Sequence, residues 1–423
     1  MKTDILIVGS GCSGLFCALN LPKDKKITII TKATAQESAS YLAQGGICVM
    51  RDENDFDAFF EDTLKAGHYE NNRESVEIMI NSSQDVVDDL IGYGVDFNRK
   101  ADGEFDYTRE GAHSTHRILF HKDITGREIT SKLHERVTEL ENVEIFENTV
   151  LLDIIEKDGQ CCGAVIKKPD GMLETVEAEY VVLATGGLGG LFERSTNFRH
   201  LTGDALAIAL RHGITLKDIN YIQIHPTSFY AKESDGRSFL ISESVRGEGA
   251  LLLNKNMERF VDELQPRDVV ANAIFKQMEI DGTDHVWEDL RTIPEEELRA
   301  HFPNIVEHCR KNGYDVTKEC IPVVPAQHYF MGGIDVNRNS KTSMERLYDV
   351  GETACNGVHG KNRLASNSLL ESLVFAKRAA ADISANPKES IPVGDVDLTK
   401  YEDIEKFNEE NKKLVLDEID RRK

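Results

Sequence analysis

The sequence has no hydrophobic run long enough to cross a membrane as a helix. A membrane-spanning helix needs about 20 consecutive apolar residues. The most apolar stretch, residues 180–192 (YVVLATGGLGGLF), is interrupted by glycines. A strand-like segment begins almost at the first residue, which leaves no room for a signal peptide. The sequence therefore predicts a cytoplasmic protein that has no membrane partner.

Positive charge is also scarce. The chain has 50 Lys and Arg against 73 Asp and Glu, and its formal net charge is −23. Nucleic acids and anionic membrane surfaces would repel such a chain, so neither is expected as a partner. A small anionic ligand remains compatible with this charge, because it responds to the local field of its pocket.

Paired metal-binding cysteines are absent as well. None of the eight cysteines forms a C-x-x-C pair, and their spacing fits neither a structural zinc site nor an iron–sulfur cluster. Scattered cysteines of this kind are typical of reduced thiols in a cytosolic protein. No metal site is predicted. The eight are Cys12, Cys17, Cys48, Cys161, Cys162, Cys309, Cys320 and Cys355.

The first 32 residues have the pattern of a β-α-β unit. A short apolar strand is followed by a glycine loop and a helix pattern, and residues 26–32 (KITIITK) form a second strand. The loop fits G-x-G-x-x-G, in which Gly9 allows a tight turn, Gly11 admits a pyrophosphate and Gly14 lets the helix pack closely. This motif does not distinguish FAD from NAD. Its six residues are Gly9, Ser10, Gly11, Cys12, Ser13 and Gly14.

The acid that usually binds a ribose at the end of the second strand is missing, and Lys32 stands there. Lys32 could contact a phosphate or a ribose hydroxyl, or it could be a solvated strand end. A polar loop follows at residues 38–46 (SASYLAQGG), which is either a dinucleotide contact or an ordinary turn. The residues of interest in it are Ala39, Ser40, Tyr41, Leu42, Ala43, Gln44, Gly45 and Gly46.

The rest of the chain divides by periodicity. Residues 74–97 and 127–140 are predicted to be helical, and 151–178 have the glycine turns of an antiparallel meander. A buried strand is predicted at 180–187. From about 219 to 333 the pattern becomes mixed, which indicates a second domain inserted into the first.

Residues 357–372 (GVHGKNRLASNSLLES) combine an arginine with a helix start. Asn367 or Ser368 can cap a helix whose apolar pattern begins at Leu369. Such a helix N-terminus would stabilise the anion that forms when a flavin is reduced. Arg363 could bind a carboxylate through two parallel hydrogen bonds. The alternative is a surface arginine beside a capped helix.

Residues 107–117 (YTREGAHSTHR) place Glu110 among four nitrogen-bearing neighbours. From these residues alone, the simplest interpretation is that Glu110 neutralises Arg109 or Arg117. The four neighbours are Arg109, His113, His116 and Arg117.

Eight motifs in order resemble the succinate dehydrogenase/fumarate reductase flavoprotein family, and within it the branch that oxidises aspartate. They are GSGCSG, AQGG, ATGG, HPTSF, RGEGA, PRD, QHYFMGG and GVHGKNRLASNSLLE, and they cover residues 1–385. The resemblance implies an α/β fold: a Rossmann-like FAD-binding domain at 1–218 and 334–395, an inserted α+β capping domain at 219–333, and a short C-terminal helical tail at 396–423. The tail would be a remnant of the family's helical domain.

Two positions distinguish among members of this family. Ala39 stands where members with covalent flavin have a histidine, so FAD is expected to be bound non-covalently. Glu110 stands where the dehydrogenases have a neutral residue, typically glutamine. The resemblance implies that Glu110 binds the ammonium group that aspartate has and succinate lacks.

Further single residues of this sequence match functional positions of the family. His225, His328 and Arg363 match positions that bind substrate carboxylates, and Arg267 matches the arginine assigned acid/base work. Without the resemblance, the histidines would be core or loop residues and Arg267 a partner of Asp268 or Asp262. Four more positions match contacts near the substrate (Ser242 and Glu243) or in the flavin domain (Asp204 and Glu352).

The implied activity is the FAD-dependent oxidation of L-aspartate to iminoaspartate by hydride transfer to flavin N5. Oxygen or fumarate would accept the electrons, and the product would lead through quinolinate to NAD, with quinolinate synthase as a possible partner. Two alternatives stay open: a soluble fumarate reductase or succinate dehydrogenase flavoprotein, and a non-catalytic flavin-binding subunit. An NAD-dependent dehydrogenase is a further rival that predicts a colourless protein.

Overall fold

The structure, a computed structural model, describes residues 1–231 and 236–422. The strands are β1 (Ile5–Val8), β2 (Ile27–Ile30), β3 (Ile47–Cys48), β4 (Tyr107–Thr108), β5 (Ile118–Leu119), β6 (Val143–Phe146), β7 (Val150–Lys157), β8 (Gln160–Lys167), β9 (Leu173–Glu177), β10 (Tyr180–Leu183), β11 (Leu216–Lys217), β12 (Ile222–Phe229), β13 (Leu251–Leu253), β14 (Val286–Asp289), β15 (Ile321–Phe330), β16 (Gly333–Asp335), β17 (Leu347–Asp349) and β18 (Ala354–Cys355).

The helices connect these strands and cover their faces. They are α1 (Cys12–Asn20), α2 (Phe56–Ala66), α3 (Arg73–Asn81), α4 (Ser83–Gly92), α5 (Thr125–Thr138), α6 (Asp204–Arg211), α7 (Glu243–Gly247), α8 (Arg267–Asp281), α9 (Glu295–His301), α10 (Pro303–Lys311), α11 (Asn367–Ala385) and α12 (Ile404–Arg422).

A five-stranded parallel sheet forms the centre of the molecule. Its strand order is β17-β10-β1-β2-β6, and Ile5 of β1 lies between Tyr180 and Ile27 in the ladder. Strands β1, β2 and β10 are buried along their whole length. That burial explains their continuous apolar sequence, because both faces of a parallel sheet are covered. The predicted Rossmann-like α/β arrangement is confirmed.

Each face of the central sheet has its own core. On one side α1 packs against α5 and α11. On the other side lie α6, α12 and the predicted antiparallel meander, which is confirmed as β7-β8-β9. The helix predicted over 74–97 is two helices, α3 and α4, separated at Ser82.

A second, antiparallel sheet with the order β12-β15-β14-β13 and helices α7 to α10 occupies residues 222–330, which we call the cap segment. The described part of this segment has its own hydrophobic core, built around residues such as Phe229, Val270 and Ile305. An inserted unit of this kind was expected. The exact domain boundaries at 219 and 333 stay a prediction.

The predicted C-terminal helix is α12, which packs on α6 through Val415 and Ile419. Just before it, the Tyr401 hydroxyl donates to the buried carboxylate of Asp153. All eight cysteines are free thiols. Within residues 1–231 and 236–422, none of the helices is both long and apolar enough to cross a membrane.

Candidate active site

The glycine loop connects β1 to α1, and its three glycines have different surroundings. Gly9 has φ +122°, and a Cβ there would lie 2.0 Å from the Ala184 carbonyl oxygen. A Cβ at Gly14 would lie 2.2 Å from the Gly9 oxygen, so both glycines are required by close packing. At Gly11 the nearest atom, Ser40 Oγ, is 3.5 Å from the Cβ position, an ordinary contact. Only this middle glycine leaves space through which a ligand can approach the backbone.

A long cavity begins at this loop and encloses about 1340 Å³ of empty space, part of it open to solvent. Most of the predicted cofactor residues line it. These are Gly9, Ser10, Gly11, Cys12, Ser13, Lys32, Ala39, Ser40, Leu42, Ala43, Asp204, Glu352, Ser368 and Leu369.

One wall of the cavity is formed by the end of β2 and the start of α6. Lys32 Nζ lies 2.7 Å from Asp204 Oδ2 and donates to Thr202 Oγ1 at 3.0 Å. Lys32 is therefore not a solvated strand end. This pair places a cation and hydrogen-bonding oxygens against the cavity.

The start of α11 forms another wall, and its cap differs from the prediction. The helix begins at Asn367 and is preceded by Ser366, which has φ +60° and makes no side-chain capping bond. Neither Asn367 nor Ser368 caps the helix, because Ser366 holds the N-cap position and both residues lie inside the first turn. Asn367 Nδ2 donates to Thr63 Oγ1, and Ser368 Oγ accepts from Arg363 Nη1. The first amides of α11 therefore lack a side-chain cap where Ser368 and Leu369 line the cavity.

Arg363 lies at this end of the cavity and is 4 % exposed. Its guanidinium lies over the Tyr329 ring, 4.6 Å from the centroid, and its Nε has no partner among the described residues. Burial and the nearby Arg267 lower the pKa of Arg363 to about 10. It is therefore a buried cation with an unsatisfied donor, not the surface arginine of the alternative interpretation.

Two histidines lie beside Arg363. The ring centroids of His225 and His328 are 5.0 Å apart. His328 Nδ1 is 2.7 Å from Thr196 Oγ1, whereas His225 Nε2 has no hydrogen-bond partner in the part of the chain described. Burial, followed by the charge of Arg267, holds the pKa of both imidazoles well below the ordinary value. Both rings are therefore neutral and available as hydrogen-bonding groups.

Arg267, the first residue of α8, faces the same region. Its Nε donates to Glu243 Oε2 at 2.5 Å and its Nη1 to Gln223 Oε1 at 2.9 Å. Asp268 instead pairs with His68, so the alternative pairing of Arg267 with Asp268 is wrong. Burial alone would raise the pKa of Glu243, but the arginines, chiefly Arg267, outweigh it and leave that pKa below its ordinary value.

Glu110 is a buried carboxylate whose partners are hydroxyl groups. It is 3 % exposed, and it accepts hydrogen bonds from Ser244 Oγ at 2.7 Å and Ser366 Oγ at 2.5 Å. Arg117 pairs with Asp55 and Asp62 instead. In the described residues Glu110 has no ion pair. The interpretation that Glu110 neutralises Arg117 is therefore wrong. Burial and the nearby Glu243 raise the pKa of Glu110.

The sequence and fold are similar to those of known flavoproteins. The family described as FAD binding domain matches residues 4–369. The L-aspartate oxidase of Clostridium perfringens is 48% identical over 416 residues, a match that covers 98% of this chain and 94% of that protein. The L-aspartate oxidase of Clostridium acetobutylicum is 50% identical over 384 residues, or 91% of this chain and 88% of the relative. The chain belongs to the L-aspartate oxidase family.

Solved structures of the wider flavoprotein family have the same fold. A variant of the E. coli quinol fumarate reductase flavoprotein superimposes with a TM-score of 0.85 at 30% identity, covering 97% of this chain and 74% of the other. The predicted resemblance to the succinate dehydrogenase/fumarate reductase flavoproteins, and to their aspartate-oxidising branch, is confirmed.

The cavity residues fit FAD, the cofactor of this family. Neither α1 nor α11 is capped by the side chain of its preceding residue. Ser40 Oγ accepts from Cys12 N at 2.9 Å, and the following amides of the first turns can bind anionic groups. Gly11 is open to the cavity, and the buried Glu352 carboxyl lines it with a pKa raised to about 7 by burial. Ala39 lines the cavity with a methyl group that cannot form a bond to flavin. FAD is therefore bound non-covalently.

Five predicted cofactor residues do not line the cavity in this structure. Gly14 packs against Gly9, the Tyr41 ring lies under Arg127, and Gly46 N donates to Ser366 Oγ. Gln44 and Gly45 line a second pocket beside Glu110 instead. A Cβ at Gly45 would lie 2.7 Å from Glu110 Oε1, so this glycine makes room for the carboxylate. The end of the AQGG loop thus borders Glu110 and not the main cavity. The five residues are Gly14, Tyr41, Gln44, Gly45 and Gly46.

The predicted substrate residues lie around the Arg363 end of the cavity. His328 and Arg363 line it directly. Arg267 lies close enough to four other site residues for its charge to shift their pKa values. These residues are Glu110, His225, His328 and Arg363. Ser242 precedes α7, where its Oγ accepts from Ser244 N at 3.3 Å.

Several lining residues were not found from the sequence. Most of them come from segments outside the quoted motifs, where no spacing rule marks them, whereas Tyr329 lies in β15 within the QHYFMGG motif. The hydroxyl partners of Glu110 were also missed, although Ser244 stands only two residues after the predicted Ser242. The missed lining residues include Thr149, Thr196, Asn197, His200, Thr202, Arg237 and Tyr329.

Proposed function

We propose that the chain oxidises L-aspartate to iminoaspartate, with FAD as the first electron acceptor. One observation carries the proposal: among the described residues Glu110 is a buried carboxylate without an arginine partner, whereas the neighbouring buried carboxylate, Glu243, is paired with Arg267. Succinate would bring two carboxylates to such a site and leave Glu110 opposed to like charge. Aspartate adds an ammonium group that Glu110 can bind.

The two substrate carboxylates would be held by the surrounding donors. Arg363 has an unsatisfied Nε and His225 an unsatisfied Nε2, both buried. A buried donor without a partner costs free energy, so a carboxylate that satisfies it is bound strongly. His328 and Arg267 complete the donor set. Because the histidines are neutral, the positive charge of the site comes from the two arginines.

Glu110 would bind and orient the amino group. Its carboxylate already accepts two hydrogen bonds from Ser244 and Ser366, which fix its position. Each oxygen retains a further lone pair for an ammonium N–H. Ser366 immediately precedes α11, and Ser368 and Leu369 of that helix line the cavity. The amine would thereby be held near the start of α11.

The burial of Glu110, His225 and Arg267 excludes water from the reacting atoms. When bound, FAD would supply a two-electron acceptor for the hydride from the substrate Cα. The ammonium group must also lose one proton for the C=N bond to form, and Glu110, the carboxylate proposed to bind that group, would accept it. Arg267 is held by Glu243 and Gln223, and as an arginine it stays protonated. Its proposed role in this direction is to stabilise charge, not to remove a proton.

Oxygen or fumarate reoxidises the flavin, and the chain catalyses the first step from aspartate towards quinolinate and NAD. The alternative activity, succinate oxidation, is disfavoured by the like charge at Glu110. We also propose that iminoaspartate passes to quinolinate synthase, since an imine hydrolyses in water. A transfer assay with added quinolinate synthase and its three-carbon co-substrate tests this: quinolinate should form in competition with oxaloacetate.

The activity is tested by anaerobic mixing of the FAD-loaded protein with L-aspartate. The oxidised flavin absorbance should bleach with L-aspartate and return when oxygen or fumarate is added. Succinate at the same concentration should bleach it far more slowly. Bleaching by succinate but not by aspartate would show that the proposed substrate is wrong.

A further inference from the structure

Three groups of the aspartate site are buried: His225 is 0 % exposed, Glu110 3 % and Arg267 6 %. With FAD filling the main cavity, aspartate would reach these groups only if part of the protein moves. The cap segment carries His225 and Arg267, whereas Glu110 belongs to the first half of the chain, so the site is divided between the two. The contacts that join the cap segment to the loops beside Glu110 therefore decide how readily the site opens.

Helix α10 of the cap segment begins without a cap of its own. The preceding residue is Phe302, which offers no side-chain acceptor, and Pro303 is the first helical residue. The next two amides, those of Asn304 and Ile305, need acceptors from elsewhere. A buried helix start of this kind is unstable unless another segment provides them.

Asp123 provides these acceptors from outside the cap segment. Its Oδ2 accepts from the amides of Asn304 and Ile305, both at 2.9 Å, and its Oδ1 accepts from Asn304 Nδ2 at 2.8 Å. Asp123 lies in the loop between β5 and α5 and is 1 % exposed. The carboxylate thus satisfies three donors across the boundary, 181 and 182 residues away in sequence, and it complements the positive end of the helix.

The start of α5, which directly follows Asp123, is hydrogen-bonded to the loop at residues 39–46. Thr125 Oγ1 donates to the Gly45 oxygen at 2.5 Å, and Gly126 N donates to the Ala43 oxygen at 2.9 Å. A Cβ at Gly126 would lie 1.9 Å from the Ser40 oxygen, so the two segments are in direct contact. Asp123 therefore connects α10 to the same loop that borders Glu110.

A pocket of about 230 Å³ lies along this boundary, directly beside the Glu110 partners. Gln44, Gly45 and Phe120 line one side of it, and Ser244 and His301 line the cap side. Ser244 is one of the two hydroxyls bound to Glu110. Separation of α10 from Asp123 would widen this pocket towards the amine-binding carboxylate.

We propose that Asp123 is a positioning residue that latches the cap segment over the aspartate site by capping α10. Aspartate enters, and product leaves, when the three hydrogen bonds to Asn304 and Ile305 are broken and water solvates the carboxylate and the helix start. The closed arrangement, which brings Arg267 and His225 to Glu110, is restored when the bonds re-form. Loss of the latch lowers the population of the closed form and so the apparent affinity for aspartate.

The test replaces Asp123 in the FAD-loaded full chain. In Asp123→Asn, and more strongly in Asp123→Ala, the KM for aspartate should rise by roughly tenfold or more, because hydrogen bonds to a charged acceptor are lost. The rate of flavin reduction at saturating aspartate should stay within about twofold of the parent, since substrate then drives closure. Without aspartate, hydrogen exchange at the first turn of α10 should accelerate while exchange in β1 and β10 stays unchanged.

Asp315→Asn is the matched control. Asp315 accepts from Thr317 N at 3.1 Å and Thr317 Oγ1 at 2.7 Å entirely within the cap segment, so its loss should leave the KM and the α10 exchange unchanged. If Asp123→Ala does not fold, Asp123→Asn and Asn304→Ala carry the test. If hydrogen exchange at the first turn of α10 is the same in Asp123→Asn as in the wild type, the proposed role of Asp123 is wrong. An unchanged KM with a lowered rate of flavin reduction would also show that it is wrong. The kinetic measurement depends on the proposed aspartate oxidation, whereas the exchange measurement does not.

Discussion

Replacement of Glu110 by glutamine removes one negative charge and little volume. Glutamine can still accept a hydrogen bond from one of the two serines, so the local packing around Ser244 and Ser366 is retained. The substrate ammonium would then face a neutral amide. Breaking a buried ion pair by removing one partner typically costs ~3–5 kcal/mol, which corresponds to a loss of about 10²- to 10³-fold or more in kcat/KM for aspartate. Because the serine hydroxyls already share the carboxylate charge, we expect the lower end of that range.

Fumarate has no amino group, so the same variant should reduce fumarate almost normally. The assay compares kcat/KM for aspartate oxidation with kcat/KM for fumarate reduction by a reduced dye without oxygen, in the parent and in Glu110→Gln. We expect the first to fall at least a hundredfold and the second to change by less than about threefold. Glu288→Gln is the matched control: Glu288 is a buried glutamate elsewhere in the cap segment, and burial raises its pKa to about 8. At neutral pH that change removes little charge, and both activities should persist.

Equal losses of the two activities in Glu110→Gln would refute the reasoning. They would mean that Glu110 supports the site as a whole and does not distinguish aspartate from fumarate. An unchanged aspartate activity would contradict the assignment even more directly. Flavin content and thermal unfolding of the variant should match those of the parent, so that neither loss can come from misfolding.

Three further predictions concern the same site and the cofactor loop. Burial and Glu243 raise the pKa of Glu110 above the ordinary 4.5. We therefore expect kcat/KM for aspartate to be highest at higher pH and to fall as the pH drops through that raised pKa. If Glu110→Gln shows the same fall at low pH, the prediction is contradicted. Arg363→Lys keeps the positive charge but loses the planar guanidinium that can donate two parallel hydrogen bonds to a carboxylate. The KM should therefore rise about tenfold or more for both aspartate and fumarate in parallel assays. An effect on aspartate alone would show that Arg363 does not bind a carboxylate that the two substrates share. Gly9→Ala places a Cβ 2.0 Å from the Ala184 oxygen at φ +122°. The free energy of unfolding, measured with and without FAD, should fall by about 2–5 kcal/mol. An unchanged melting temperature would show that the loop accommodates the methyl group without strain.

The central sheet was predictable from the sequence because its strands are buried on both faces. The residues of β1 (ILIV) and β2 (ITII) have no polar alternation, and the glycine loop between them has only one regular structural context. The meander was equally clear from its glycine turns. The break between α3 and α4 at Ser82 was not predicted, since the apolar period continues across both helices and no proline or glycine marks the break.

The active site was predictable only in part. The motif residues that line the cavity lie where local pattern places them, at the ends of β1 and β2 and at the start of α11. The partners of Glu110 could not be read from spacing, because Ser244 and Ser366 lie 134 and 256 residues away and meet it only through the fold. The predicted cap of α11 is wrong because the helix begins earlier than its apolar pattern indicates. Ser366 holds the N-cap position, and Asn367 and Ser368 lie inside the first turn.

The central claim is that Glu110 receives the amino group of aspartate beside the flavin. The most direct measurement is a crystal structure of the FAD-bound protein with aspartate, collected without oxygen from crystals of a slow variant such as Arg267→Gln. The account predicts that the aspartate nitrogen lies about 2.7–3.2 Å from a Glu110 carboxylate oxygen, with the substrate carboxylates on Arg363 and the two histidines. An aspartate bound with its nitrogen facing another group, and with Glu110 held only by its two serines, would contradict it.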